Sequence, residues 1–473
     1  MGVIYSKVKL SSLGKNDKFT RLDFKFNEFL SRNDWNLFNC KDSELCLLKD
    51  ILTPYYKNFD FEPGKEYKGI PTGREYLNEF GEITDYQIIT SEQHPGRLKY
   101  QVNNDCILLS SLKGAKTPAL SFDFNLNDYV FSNGFYIFKV NEEQNEKKFI
   151  LYLLRTKTIK DFLDNHLFRG IGISTFREDD FLRIRIKKLT LQRQQQILAT
   201  IAPLEAEIAS LKATKIPETD IINKVLGKEL GLDWEKFEEL KKIKKYKANL
   251  SDFSKNVDSR MSYKFHNLAE KYLWDFMISK SDKRLKNFIS EPIVLGESVS
   301  PEQYTEEGKF YYIAMSNIKF WNFETDDCRT VKKSYSDKAI KKGKIVKKDD
   351  IILARSGEGT IGKVALITDD VNAIFADFTQ RIRLNNYNPL CAYYYFRSDI
   401  FQYFIYSHKK GMGNNTNIFP NQVQEFPMPD WSLEKQSKIA TLIKEQIDAQ
   451  KIIDEQILKK QQQILQIIEN AVR

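Results

Sequence analysis

The sequence predicts a mixed α/β (α+β) protein. Two similar globular domains are separated by long antiparallel, coiled-coil-like helices in a pseudo-twofold arrangement. Three observations carry that expectation. The chain has 473 residues, too many for one ordinary core. It contains an internal repeat of roughly 240 residues, too long for a solenoid unit. Each copy closes on a long stretch with apolar residues at heptad spacing.

The repeat is visible as five matches in one order. Arg21-Leu-Asp-Phe-Lys-Phe26 recurs as Arg260-Met-Ser-Tyr-Lys-Phe265, 239 positions later. Asn104-Asp-Cys-Ile-Leu-Leu109 recurs as Asp349-Asp-Ile-Ile-Leu-Ala354 at an offset of 245. Leu151-Tyr-Leu-Leu-Arg155 matches Tyr393-Tyr-Tyr-Phe-Arg397 at 242, and Gly170-Ile-Gly172 matches Gly411-Met-Gly413 at 241. Leu191-Gln-Arg-Gln-Gln-Gln-Ile197 matches Leu433-Glu-Lys-Gln-Ser-Lys-Ile439 at 242. Chance does not place five matches in order at a nearly constant offset; duplication does.

Each copy is expected to open on a polar, turn-rich segment and continue through short strands. Ile107–Leu109, Gly134–Val140, Ile351–Leu353 and Lys363–Thr368 mix apolar, β-branched and aromatic residues between Gly, Asn and Asp. Aromatic-rich helices follow over Phe149–Leu163 and Leu390–Tyr406, then a glycine-containing loop, then the closing helix. In copy one the seam is Ile197, Ile201, Leu204, Ile208 and Leu211. In copy two it runs from Ile439 and Ile443 through Gln446 and Gln450 to Ile453, Ile457 and Ile464. Pro217-Glu-Thr-Asp220 reads as a break and cap before a second amphipathic stretch, Ile221 to about Tyr246, interrupted near Gly231. At 1.5 Å per residue, Leu191–Lys215 spans roughly 36 Å and Leu433–Val472 roughly 58 Å. The domains are accordingly expected at 1–190 and 251–431, with helices at 191–250 and 432–473 between and after them.

Composition narrows the class. A net charge of +9 leans mildly toward polyanionic partners. No apolar run approaches a membrane span, and Met1–Lys9 lacks a signal peptide's apolar core, so the chain reads as cytoplasmic. Five scattered cysteines and four isolated histidines, with no CxxC, suggest neither a zinc site nor a disulfide framework.

Motifs for catalysis are weak. Gly357-Glu-Gly-Thr-Ile-Gly-Lys363 fits GxxxxGK, but Val364 stands where a P-loop needs Ser or Thr, and Val-Ala-Leu-Ile-Thr368 reads as a strand instead of a helix. No Asn/Asp-Pro-Pro-aromatic motif for adenine methylation is present. Asp349-Asp350 and Asp369-Asp370 read as solvated turn residues flanking strands, not as a nuclease metal cluster. The basic run Lys332–Lys348 suits either a phosphate-tracking surface or a solvated face, and Lys241–Lys247 reads as a helix terminus.

Over essentially its whole length the sequence resembles the specificity subunits of type I restriction–modification systems. The likeness is carried by Lys341-Lys-Gly-Lys-Ile-Val-Lys-Lys-Asp-Asp-Ile-Ile-Leu-Ala-Arg355 and Gly359-Thr-Ile-Gly-Lys-Val-Ala365. Asn421–Ile439, Asp220-Ile-Ile-Asn-Lys-Val-Leu-Gly227 and Leu232-Asp-Trp-Glu-Lys-Phe-Glu-Glu239 add to it. Copy one diverges more, with Ser110-Ser-Leu-Lys-Gly114 against Arg355-Ser-Gly-Glu-Gly359. The resemblance implies two target-recognition domains on double-stranded DNA, reading a bipartite gapped site. It also implies spacer helices that dock two methyltransferase subunits, joined by restriction/translocase subunits. S-adenosylmethionine, ATP and magnesium are then expected on those partners, and this chain is expected to be non-catalytic. A standalone nuclease or methyltransferase fragment with duplicated DNA-binding domains is the alternative, and a protein–protein scaffold a third. The DNA-binding candidates are Arg74, Lys113, Lys116 and Arg169 in copy one, and Arg355, Lys363, Lys409, Lys410, Asn414 and Asn415 in copy two. Asn414 or Asn415 suits adenine, and Arg355 suits guanine or phosphate.

Overall fold

The computed structural model describes residues 37–38, 40–73, 76–78, 80–113, 118–168, 174–247, 249, 251, 260–318, 321–326, 328–357, 359–411 and 416–473. They fall into two compact units, Met1–Thr214 with Ile453–Arg473, and Lys215–Ile452. Arg21–Phe26, one half of the first repeat match, lies outside the described residues.

The first unit carries β1 (Leu45–Leu47), β2 (Leu52–Pro54), β3 (Lys57–Asn58), β4 (Tyr67–Ile70), β5 (Gln87–Ile89), β6 (Leu98–Gln101), β7 (Cys106–Ser110), β8 (Tyr129–Ser132) and β9 (Phe135–Val140). Helices α1 (Lys147–Arg155), α2 (Lys157–Phe162) and α3 (Glu178–Leu182), strand β10 (Arg185–Lys187) and helix α4 (Leu191–Thr214) follow. β9 sits between β2 and β7, antiparallel to both. In a second sheet β4 pairs antiparallel with β5 and parallel with β8.

In the second unit come α5 (Glu218–Leu230), α6 (Trp234–Lys242), α7 (Leu268–Lys280), β11 (Val294–Leu295), β12 (Tyr304–Thr305), β13 (Phe310–Ile313) and β14 (Arg329–Val331). Then follow α8 (Lys333–Lys341), β15 (Ile351–Ala354), β16 (Val364–Leu366), β17 (Ala373–Phe375), β18 (Thr379–Ile382), α9 (Pro389–Arg397), α10 (Asp399–His408), α11 (Pro420–Val423) and α12 (Leu433–Val472). Here β18 sits between β11 and β15, antiparallel to both. β13 pairs antiparallel with β14 and parallel with β17. The two units thus share these pairings, including an uncommon parallel pair that requires a long crossover, although the sheets have three and five strands in the first unit and four each in the second. A shared topology of that kind is the structural counterpart of the sequence repeat.

The aromatic-rich segments differ from expectation. Neither is one helix; each breaks into two, α1–α2 at Thr156 and α9–α10 at Ser398. Both residues adopt extended backbone, with ψ of 151° and 155°. Each hydroxyl donates to the carbonyl three residues back, Thr156 to Leu153 at 2.7 Å and Ser398 to Tyr395 at 2.6 Å. A hydroxyl residue that satisfies a terminal carbonyl and starts the next helix makes the bend cheap. After α5, Gly231 ends the helix in the left-handed region (φ 73°), and Asp233 caps α6.

The seam residues pack as follows. In the first unit Ile197, Ile201 and Ile208 of α4 share a core with Ile457, Ile464, Ile468 and Val472 of α12, with Leu204, Leu211 and Ile453 at its margin. Lys460 pairs with Glu207 between the same helices. In the second unit Ile439, Ile443 and Ile447 of α12 share a core with Ile222, Val225 and Leu226 of α5. There Gln450 accepts from the Ile216 amide at 2.8 Å, and Lys435 meets Glu229 at 3.2 Å. Partners therefore recede along α12 as α5 advances: the two run antiparallel.

One acidic pair is placed differently from expectation. Asp369 and Asp370 are exposed, but Asp350 is fully buried. Arg383, one strand away, binds both its oxygens, and the Lys347 amide donates to it at 2.7 Å. A buried carboxylate is tolerable only with such partners. Its neighbour Asp349 is exposed and carries the positive φ of 69° that tightens the turn into β15. Among the described residues, no helix is long and apolar enough to cross a membrane.

Candidate nucleic-acid interface

The Gly357–Lys363 segment is a tight connection between β15 and β16, which pair antiparallel. Gly357, Gly359 and Gly362 all have positive φ, and a Cβ on Gly362 would strike the Gln402 amide oxygen at 2.7 Å. Glycine is therefore required by the backbone here. A strand follows directly, so the loop offers no helix N-terminus to a phosphate, and the P-loop reading fails on geometry. The Lys363 ammonium lies 4.2 Å from the centre of the Trp321 ring.

Beside this hairpin the ends of β15 and β18 meet the chain that leaves α10. The half-buried Arg355 donates from Nε to the Asp377 carbonyl at 2.8 Å and from Nη1 to Asn417 Oδ1 at 3.2 Å. Its guanidinium also lies 5.7 Å from the Phe419 ring centre. Asn417 and Lys410 exchange backbone hydrogen bonds at 2.7 Å, while the Ile418 amide donates to Arg355 O. Behind them Arg260 donates to the carbonyls of His408 and Lys409 at 2.8 and 2.6 Å. His408 in turn bonds Glu270 at 2.9 Å and stacks on Trp274. The result is a braced surface that gathers Arg355, Lys409 and Lys410 with the exposed rings of Phe378, Tyr406 and Phe419. Cations next to exposed rings suit phosphates and bases together.

The first unit builds the same strand end. The Ser111 amide donates to Gly134 O at 2.9 Å, as the Arg355 amide donates to Phe378 O at 2.9 Å. Leu112 bridges Thr175 as Ser356 bridges Asn417. Ser111, not Ser110, therefore stands where Arg355 does, so a serine occupies that position in this unit. The exposed Lys113 is adjacent; its ammonium donates to Asp164 O at 2.9 Å and lies 6.0 Å from the Phe168 ring centre. Elsewhere in the same unit, Arg155 donates to Ala119 O at 2.7 Å, and burial lowers its pKa to about 10.

Of the expected DNA-binding residues, Arg74, Lys116, Arg169, Asn414 and Asn415 lie outside the described residues. The structure brings Arg355, Lys409 and Lys410 to one place, sets Lys363 against Trp321, and puts Lys113 at the corresponding end of the other unit. Sequence reasoning missed the bracing groups Arg260, Asn417 and Phe419; the match of Arg260 to Arg21 was the one available signal. The Lys332–Lys348 run divides. Lys333, Lys338 and Lys341 are exposed on or at the end of α8. Lys342 pairs with Glu297, and the Lys344 ammonium donates to Leu295 O, its pKa lowered by burial.

No protein-family model and no curated protein matches the chain. Solved structures do. The chain is similar to a structure described as "Structural basis underlying complex assembly and conformational transition of the type I R-M system", at 14% identity over 91% of this chain and 97% of that one, with a TM-score of 0.36. It is also similar to the HsdS subunit from Thermoanaerobacter tengcongensis, at 13% identity over 91% and 96% of the chains and a TM-score of 0.34. A third is the type I restriction-modification S subunit from M. genitalium, at 12% identity over 93% and 99%, with a TM-score of 0.34.

Proposed function

We propose that this chain is the DNA-recognising specificity subunit of a type I restriction–modification assembly. It has no catalytic centre of its own, and each unit reads one half of a bipartite, gapped site. The observation that carries the reading is the duplicated strand end, where the same pairing scheme presents Lys113 in one unit and Arg355, Lys409 and Lys410 in the other. The family resemblance of the sequence points the same way.

On this reading lysines at the strand ends neutralise phosphates and fix register, while nearby loop side chains address base edges in the major groove. Two readers in one chain double the number of specified base pairs without enlarging either domain. Methyl transfer, cleavage and translocation belong to bound methyltransferase and restriction subunits, which hold S-adenosylmethionine, ATP and magnesium. The helices α4, α5 and α12 are the docking elements.

The test is selection from randomised DNA with the chain reconstituted with its methyltransferase subunits, read by sequencing. The expected result is two short motifs at one fixed gap. No sequence preference would make the chain a scaffold. Methyl transfer or cleavage by the pure single chain, supplied with S-adenosylmethionine or with magnesium and ATP, would make it an enzyme.

A further inference from the structure

We infer that Gln194 and Gln436 are twin positioning residues that set how each reader is held on its long helix, and thereby the gap between half-sites. The inference rests on the proposed DNA-reading function and names residues that control one property of it.

The two glutamines occupy the same place. Each is the fourth residue of its long helix, α4 or α12, and each is only 1% exposed. Gln194 Nε2 donates to Leu189 O at 3.0 Å, and Gln436 Nε2 donates to Trp431 O at 2.6 Å, in both cases five residues back. Gln194 Oε1 accepts from the Glu146 amide at 2.9 Å; Gln436 Oε1 accepts from the Asn388 amide at 2.7 Å. Glu146 and Asn388 stand at the N-cap positions of α1 and α9, Asn388 alone also capping its helix through its side chain. In both units, then, one buried amide ties together the segment entering the long helix, the helix itself, and the first helix of the reader.

Glutamine is the side chain this joint needs. It must donate to a carbonyl on one side and accept from an amide on the other, at a reach that asparagine lacks. Each helix cap would otherwise leave a backbone N–H unpaired in a half-buried place beside the glutamine. The second joint has a further tie, Asn388 Nδ2 to Ser437 Oγ at 3.2 Å, and the first adds Gln194 Nε2 to Asn145 Oδ1 at 3.3 Å. Ordinary apolar packing resists sliding weakly, whereas two opposed hydrogen bonds from one amide set both position and rotation. A change of one base pair in the gap requires about 3.4 Å and about 35° of reader movement. A joint that forbids such movement makes the gap a single value.

The experiment uses the full chain reconstituted with its methyltransferase subunits. The variants are Gln194→Met, Gln436→Met and the near-isosteric Gln436→Glu, which keeps the acceptor and loses the donor. Selection from randomised DNA reads half-sites and gap separately. The expected outcome is unchanged half-site motifs with the gap spread over two or more neighbouring lengths, at least tenfold more off-gap sequences than wild type. A single sharp gap in the variants overturns the inference, as does loss of the half-sites at every gap, which marks a reader damaged internally. Absence of any two-part site with the wild-type chain would instead overturn the proposed function. Hydrogen exchange on the wild-type chain gives an independent arm. The amides of Glu146 and Asn388 should be protected at least a hundredfold over exposed amides, and exchange at exposed rates would remove the joint whatever the variants do.

Discussion

Arg383 grips Asp350 with two parallel hydrogen bonds, Nε to Oδ1 and Nη2 to Oδ2, each 2.7 Å. The Asp350 side chain is 1% exposed, and Nη1 of the same guanidinium pairs with Glu291, which also holds Arg381 at 3.0 Å. Such a pair adds little over well-packed apolar residues, but breaking it strands a charge. Arg383→Met should therefore destabilise the second unit by about 3 kcal/mol, whereas Arg383→Met with Asp350→Leu should recover part of that loss. Urea denaturation of the two variants checks the order. If the single variant is the milder one, the carboxylate is not dependent on Arg383.

Gly227 sits inside α5, where alanine would ordinarily be about 1 kcal/mol better than glycine. Here a Cβ would lie 2.0 Å from Trp234 Nε1. Gly227→Ala should thus destabilise, by about 1–3 kcal/mol, and move Trp234 off the helix. A red-shifted tryptophan emission together with a lower urea midpoint is the expected result. A stabilised protein would show that α6 swings aside freely.

Much of this was legible in the sequence because it depends on spacing. The repeat, the strand after Lys363 and the seams of α4 and α12 are all local or periodic patterns, and they survive translation into coordinates. What was not legible depends on partners far along the chain. Asp350 looks like any turn aspartate until Arg383 is found 33 residues away. The helix breaks at Thr156 and Ser398 carried a readable signal, a hydroxyl residue at matching positions, but it was outweighed by aromatic runs with helical spacing. At the candidate interface the cations were identifiable, whereas the inward hydrogen bonds of Arg355 to Asp377 and Asn417 were not.

Burial keeps three thiols protonated. It raises Cys391 from 9.0 to about 12, partly offset by the neighbouring Tyr387 hydroxyl, and takes Cys106 and Cys46 to about 11. Because the folded state holds these protons more tightly than the unfolded chain, their stabilisation is complete below pH 9. It is lost as the pH rises toward 11–12. Thermal midpoints should fall progressively above about pH 9. At pH 8 a thiol reagent should leave Cys106 and Cys391 unlabelled until denaturant is added. Rapid native labelling of Cys391 would contradict its burial.

Lys409 and Lys410 follow α10 directly, and Arg260 and Asn417 hold that backbone in place, so removing their ammonium groups should leave the surface intact. If both contact phosphates, Lys409→Ala with Lys410→Ala should weaken DNA binding equally for all sequences. It should also lower the slope of log affinity against log salt by about 2. Arg355 should behave differently, because its guanidinium organises Asp377 and Asn417 as well as facing the exposed Phe419. Arg355→Lys keeps the charge and loses the fork, so the salt slope should stay nearly constant while discrimination at one base position falls by about 1–3 kcal/mol. Salt-titrated binding to matched and single-mismatch duplexes separates the two effects. If the lysine pair alters base preference and the arginine only the salt slope, the roles assigned to them are reversed.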